Sequence, residues 1–127
     1  MSNKIIETKS APAPIGPYSQ AVQNGNLLFV SGQIALNPET GALENRTVQE
    51  ETVRVMENLK AILNEAGTDF ENVVKTTIFL TDMNLFAEVN DIYAGYFKQN
   101  FPARETVAVK GLPKNVNVEI SMIVNVP

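Results

Sequence analysis

The chain contains no cysteine and no histidine. Without cysteine there is no disulfide framework, no thiolate metal site and no thiol nucleophile; without histidine the side chain that most often ligates metals and shuttles protons near neutral pH is missing. A metal would have to be held by carboxylates, and no tight carboxylate cluster occurs, so no cofactor is expected. Basic charge is also scarce. Ten Lys and Arg against fourteen Asp and Glu leave a net charge of −4, which supplies no broad field for phosphates and makes nucleic acid or an anionic membrane an unexpected partner. No window approaches the roughly 20 apolar residues of a membrane span, and Met1-Ser2-Asn3-Lys4 lacks the apolar stretch of a signal peptide, so a cytoplasmic location is expected.

What is present is the composition of a folded globular protein, 44% hydrophobic and 19% charged over 127 residues. That length accommodates one core, and residues 1–127 are read as one domain. Lys4 to Thr8 fits a short strand. Ser10 to Tyr18, with Pro12, Pro14, Gly16 and Pro17, fits an ordered loop. Asn24-Gly25 between Ala21-Val22-Gln23 and Leu27-Leu28-Phe29-Val30 predicts a tight hairpin. After the turn-rich Asn37 to Gly41, Thr47-Val48-Gln49-Glu50 fits a capping box. Val48, Thr52, Val55, Leu59, Ile62 and Ala66 then mark one face of a long helix that ends at Gly67. Asn72 to Leu80 reads as a strand apolar on both faces. Asp82 or Asn84 can cap a second helix carrying Phe86, Val89, Tyr93 and Phe97, which Pro102 prevents from continuing. Strands over Glu105 to Val109 and Val116 to Val126 close the chain.

The order ββαβαββ with a hairpin-like final pair predicts an α+β fold, a mixed sheet with both helices on one face. The two-faced strand then needs cover that two helices cannot give, which predicts an obligate homo-oligomer.

In the last strand Val116, Val118, Ile120, Met122, Val124 and Val126 share one face, and Asn117, Glu119, Ser121 and Asn125 the other. Arg104 shares a face with Thr106, opposite Val107 and Val109, and Ser31 lies opposite Val30 with Gly32 beside it. Arg104, Glu119 and Ser31 on one side of a sheet would line a shared pocket. Pattern alone fits a structural Arg104–Glu119 ion pair at a subunit seam better than an active site. Tyr18 fits a ring over the edge of the core, Asn90 a structural hydrogen bond, and Ser31-Gly32 a strand bend, and these readings stay open beside the functional ones.

Five blocks carry a resemblance over nearly the whole chain: Ala13 to Ala21 (Ala-Pro-Ile-Gly-Pro-Tyr-Ser-Gln-Ala), Ser31-Gly32-Gln33-Ile34, Val73 to Leu80, Phe101-Pro102-Ala103-Arg104, and Leu112-Pro113-Lys114 through Val118-Glu119-Ile120. In this order they resemble the Rid family, also called the YjgF type. The resemblance implies a chorismate-mutase-like fold, a homotrimer with a central barrel, and ligand sites in clefts between subunits. It implies hydrolysis of 2-imino or enamine acids such as 2-iminobutanoate and 2-iminopropanoate to 2-keto acids and ammonia, limiting the damage done by products of pyridoxal-phosphate dehydratases. Arg104 would bind the substrate carboxylate and Glu119 activate water, with Tyr18, Ser31, Gly32, Asn90 and Thr106 at other pocket positions. The chain departs from many members at Glu105-Thr106, where they carry Ser-Cys; Thr106 serves if that position contributes mainly its backbone carbonyl. Alternation turns Glu105 away from Arg104. A non-catalytic, ligand-sensing regulatory trimer is the competing reading, and a ribonuclease, for a chain this acidic, a weaker third.

Overall fold

The computed structural model describes residues 3–127; Met1 and Ser2, part of the stretch read for a signal peptide, lie outside them. Strands β1 (Lys4–Ile6), β2 (Ala21–Asn24) and β3 (Leu27–Gln33) precede helix α1 (Val48–Glu65), and β4 (Val73–Leu80), α2 (Phe86–Ala94), β5 (Ala103–Ala108) and β6 (Val118–Asn125) follow. They build one mixed six-stranded sheet in the order β1-β2-β3-β6-β4-β5, with the two helices packed on it. The α+β class therefore stands, and the short strand expected from Lys4 to Thr8 forms as β1, which the order ββαβαββ leaves out. Among the described residues no helix is long and apolar enough to cross a membrane.

The final pair is a correction. β6 does not pair with β5; it lies between β3 and β4, antiparallel to both, while β5 runs parallel to β4 at the sheet edge. Helix α2 returns the chain so that β5 starts beside β4 in the same direction, as a crossover connection requires. The central place goes to β6, whose alternate residues Val118, Ile120, Met122 and Val124 are all buried, whereas no residue of β5 is.

Local signals explain the elements around the site. In the β2–β3 hairpin Asn24 still pairs with Leu27, so the two-residue loop is Gly25-Asn26, one position later than expected. Gly25 takes φ 61° and Asn26 does not have positive φ, the pattern of a II′ turn. Thr47 caps α1 by accepting the Glu50 N–H at 3.0 Å, and the Glu50 carboxylate reaches back to the Arg46 N–H at 3.1 Å, one residue before the position a capping box uses. At the other end Thr68 N–H bonds Leu63 O and Gly67 N–H bonds Asn64 O, both at 3.0 Å, a Schellman closure around left-handed Gly67.

The core lies between helices and sheet, with Val55, Met56, Leu59, Ile62 and Leu63 of α1 against Leu28, Ile78, Leu80, Val118 and Ile120. Fully buried Leu59→Ala should cost about 2–5 kcal/mol, read as a shift of the urea midpoint at unchanged slope. The opposite sheet face carries Phe29, Lys75, Thr77, Phe79, Glu105, Val107, Ser121 and Ile123, with Phe29 and Val107 45% and 42% exposed. Among the described residues no helix packs on this face.

Candidate active site

A bulge in β3 creates the first half of the site. Val30 pairs with Met122 and Gln33 with Ile120, so Ser31 and Gly32 together oppose Ser121 alone. The extra residue bends the strand and brings the Gly32 backbone over the neighbouring Glu119. A Cβ built at Gly32 would lie 2.8 Å from Glu119 Cδ and closer still to Oε2, so the carboxyl occupies the space that any side chain at position 32 would need. Glu119 lines a cavity of about 280 Å³ together with Tyr18, Gln20, Ile34, Leu36 and Pro113.

Burial pushes the Glu119 carboxyl above its ordinary value of 4.5. No lysine or arginine forms a salt bridge with it among the described residues. A half-buried carboxylate without a cation holds a proton more tightly than one in water, and is a stronger base for it. Tyr18 Oη accepts the Ile15 N–H at 3.2 Å, which braces the proline-rich loop and leaves the hydroxyl's own hydrogen to donate.

The second half is an arginine cradle. Arg104 Nη1 donates to Asn90 Oδ1 at 2.7 Å, and the guanidinium carbon sits 5.5 Å from the Phe86 ring centre and 5.2 Å from that of Tyr93. Phe86, Asn90 and Tyr93 stand at i, i+4 and i+7 on one face of α2, so one helical stripe presents all three. Buried Tyr93 is anchored in turn by a 2.8 Å hydrogen bond with Thr76. Each cation–π contact at such a surface site is worth about 0.5–1 kcal/mol. Arg104, Asn90, Tyr93, Phe101 and Pro102 line a second depression that shares no residue with the Glu119 cavity.

The shared face expected for Arg104, Glu119 and Ser31 is a second correction. Arg104 pairs with Thr76, which pairs with Met122, and all three side chains point to the helix side; Glu119 pairs with Phe79 on the open side. In one chain the two charged groups thus lie on opposite faces of the sheet and form no ion pair. Glu105 does turn away from Arg104, and bonds Lys75 at 3.1 Å on the open face. Ser31 Oγ donates to Ser19 O at 2.6 Å, tying the bulge to the Tyr18 loop; it borders another depression with Lys75, Thr77 and Ser121. Thr106 shares Arg104's face, and its Oγ1 is buried without a hydrogen-bond partner.

The cavity walls Ile34, Leu36 and Pro113 and the aromatic cradle Phe86 and Tyr93 were not among the residues expected from the sequence as site positions. The seven-residue spacing of Phe86 and Tyr93 was visible as an apolar stripe; what it lacked was a cation assigned to it. The walls carried no signal, because isolated aliphatic residues look the same in core and cleft.

Fold and candidate site define an α+β protein with an arginine cradle and a carboxylate cavity on opposite faces of one mixed sheet. The family model described as Endoribonuclease L-PSP matches residues 8–126, and the chain belongs to this family, the Rid or YjgF proteins. It is 50% identical to a RutC family protein of Pyrococcus abyssi over 97% of each chain. It is also 50% identical to the mouse protein named 2-iminobutanoate/2-iminopropanoate deaminase, over 94% of this chain and 89% of that one. A Lactococcus lactis protein named as a proposed regulator, AldR, is 49% identical over 97% and 98%. Among solved structures, a Rid family protein from Yersinia pestis superposes with a TM-score of 0.96 at 50% identity, covering 98% of this chain and all of that one. E. coli TdcF with bound serine gives 0.93 at 42% identity, covering 98% and 99%.

Proposed function

We propose that the protein is a cytoplasmic homotrimeric hydrolase that converts small 2-imino acids, 2-iminobutanoate and 2-iminopropanoate among them, to 2-keto acids and ammonia. Its site forms where the Arg104 cradle of one copy meets the Glu119 cavity of the next. The observation that carries this reading is a cation-free, half-buried carboxylate enclosed by Tyr18 and apolar walls, in a chain half identical to a protein named for that reaction. The uncovered sheet face with exposed Phe29 and Val107 supports assembly, as an apolar patch of this kind is normally buried by a partner.

In the mechanism, Arg104 holds the substrate carboxylate through two parallel N–H donors, which its bond to Asn90 leaves free. Glu119 takes a proton from water as the oxygen attacks C2 of the protonated imine, and returns it to nitrogen. The C2–N bond then breaks, ammonia leaves, and the carbonyl forms as the hydroxyl proton passes to Glu119 and from there to solvent. The electrophile is already activated, so positioning and one base suffice.

Two pH effects follow from the raised Glu119 pKa. The carboxyl is harder to ionise in the folded chain than in the unfolded one, so this group lowers stability as pH rises from 4.5 to the raised value, and not above it. As a base it must be ionised, so the acid limb of kcat/KM lies above 4.5 and disappears in Glu119→Gln. A profile flat down to pH 4.5 would remove Glu119 from the role of base.

The reading is tested by generating the imine with threonine dehydratase in the presence of semicarbazide as a competing trap. Wild type raises the keto-acid yield over the protein-free control, and Arg104→Ala does not. Equal yields in all three would favour the second reading, a trimer that binds small carboxylic acids without turnover, to which the regulatory name of the Lactococcus relative lends support. An endoribonuclease role is disfavoured by the net charge of −4 and the absence of histidine.

A further inference from the structure

Helix α1 buries three polar side chains that the reaction above does not use; Thr52 bonds back to Val48 O within the helix at 2.7 Å, and the other two reach outside it. Glu51 and Asn58 are both 0% exposed and stand seven residues, two helical turns, apart on one face. No lysine or arginine pairs with the Glu51 carboxylate among the described residues. Its Oε2 accepts the backbone N–H groups of Asn117 at 2.7 Å and Val118 at 3.0 Å, and its Oε1 accepts Asn117 Nδ2 at 3.0 Å. Asn58 Nδ2 donates to Ile34 O at 3.1 Å and Leu36 O at 3.0 Å, and its Oδ1 accepts from Arg54 Nε at 3.1 Å.

The segments these two residues hold belong together. Ile34, Leu36 and Val116 form a small hydrophobic cluster separate from the main core. Ile34, Leu36, Pro113 and Glu119 line one cavity. Burying a carboxylate to satisfy backbone amides is costly unless every lone pair is well used, and here three donors converge on it. The two backbone amides it holds are those of the residues immediately before Glu119. Thr81 N–H bonds Asn117 O at 3.1 Å from the end of β4, so the same residue is held from two sides.

We propose that Glu51 is a positioning residue for Glu119: by holding the Asn117 and Val118 amides it sets the depth at which the Glu119 carboxyl enters the cavity beneath Gly32. The catalytic part of this inference rests on the function proposed above; the positional part does not. Once the backbone before Glu119 is held, only side-chain rotation remains to it, and Gly32 and the cavity walls limit that.

The test uses full-length protein with two readouts. The first is the titration of the Glu119 carboxyl followed by carbon-detected NMR, its resonance assigned by its loss in Glu119→Gln. In Glu51→Leu the start of β6 loosens, and the Glu119 carboxyl becomes more hydrated and titrates at lower pH than in wild type. In Glu51→Gln one amide oxygen still accepts both backbone N–H groups, the Asn117 side-chain amide turns over to match, and the titration stays at the wild-type position. Glu51→Asp, whose carboxyl is one methylene short of the Asn117 and Val118 amides, shifts the titration in the same direction as Glu51→Leu and covers the case in which Glu51→Leu does not fold. The second readout is turnover: Glu51→Leu loses about tenfold or more in kcat with KM within about twofold, and Glu51→Gln restores it. Wild-type titration of Glu119 in folded Glu51→Leu, or in Glu51→Asp where Glu51→Leu fails to fold, would overturn the positioning role. Absence of turnover in wild type would instead sink the catalytic reading and leave the titration to judge the position.

Discussion

Arg104→Ala and Glu119→Gln proteins, each far below wild type alone at low substrate, recover about a quarter of wild-type imine hydrolysis when they are denatured together in equal amounts and refolded. The expectation comes from register. Arg104 lies on the helix side of the sheet with Thr76 and Met122, and Glu119 on the open side with Phe79. A substrate that touches both must take them from different copies. In a closed ring assembled at random, a given interface combines an intact Arg104 with an intact Glu119 about half of one half of the time, whatever the size of the ring.

Each single variant is expected to fail for its own reason. Glu119→Gln keeps shape and hydrogen bonding while removing the base, which costs about 10²–10⁴ in kcat. Arg104→Ala removes the anion clamp and shows mainly as raised KM; Arg104→Lys does not restore it, because an ammonium can neither fork onto a carboxylate nor lie flat between Phe86 and Tyr93. Both variants should fold as wild type does, since neither group forms a salt bridge within the chain among the described residues, and the assembly of each is read by size-exclusion chromatography. Normal assembly of the mixture without recovery of activity would place the whole site in one copy and refute the shared cleft.

How far the sequence was legible follows from the range of the interactions involved. Thr47, Gly67 and the alternation of β6 are local devices, and the helix limits and buried face they predict agree with the structure. The place of β6 between β3 and β4 is set by competition among strands distant in the chain for the most buried position, which no window of sequence contains. Alternation reports which residues within a strand share a face; it does not report which face of the sheet that is in the next strand. That is why the pattern groups Arg104 and Glu119 each with the right neighbours in its own strand and yet puts both on the same side. The bulge at Ser31-Gly32 adds one residue and shifts the phase of everything beyond it in β3. Glu51 and Asn58 were hidden for another reason: polar residues on a helix read as solvated, and only their distant backbone partners reveal them as buried clamps.

Gly32→Ala is expected to separate activity from stability. The group that a new Cβ would strike is the end of the Glu119 side chain, with Cγ at 2.9 Å and Cδ at 2.8 Å. A flexible carboxyl yields more easily than backbone, so the protein should fold with a melting temperature near that of wild type, and Glu119 should swing out of its place in the cavity. A general base displaced by about 1 Å from its working position loses on the order of 10²-fold in rate. Gly32 does not have positive φ, so the cost comes from the carboxyl and not from backbone strain. Addition of Gly32→Ala to Glu119→Asp, whose carboxyl is one methylene shorter, should therefore cost much less than its addition to wild type, a coupling measured by a double-mutant cycle on kcat/KM. Additive losses in that cycle would mean that the methyl group acts on something other than Glu119, and that the close approach at Gly32 only lets the bulge pack.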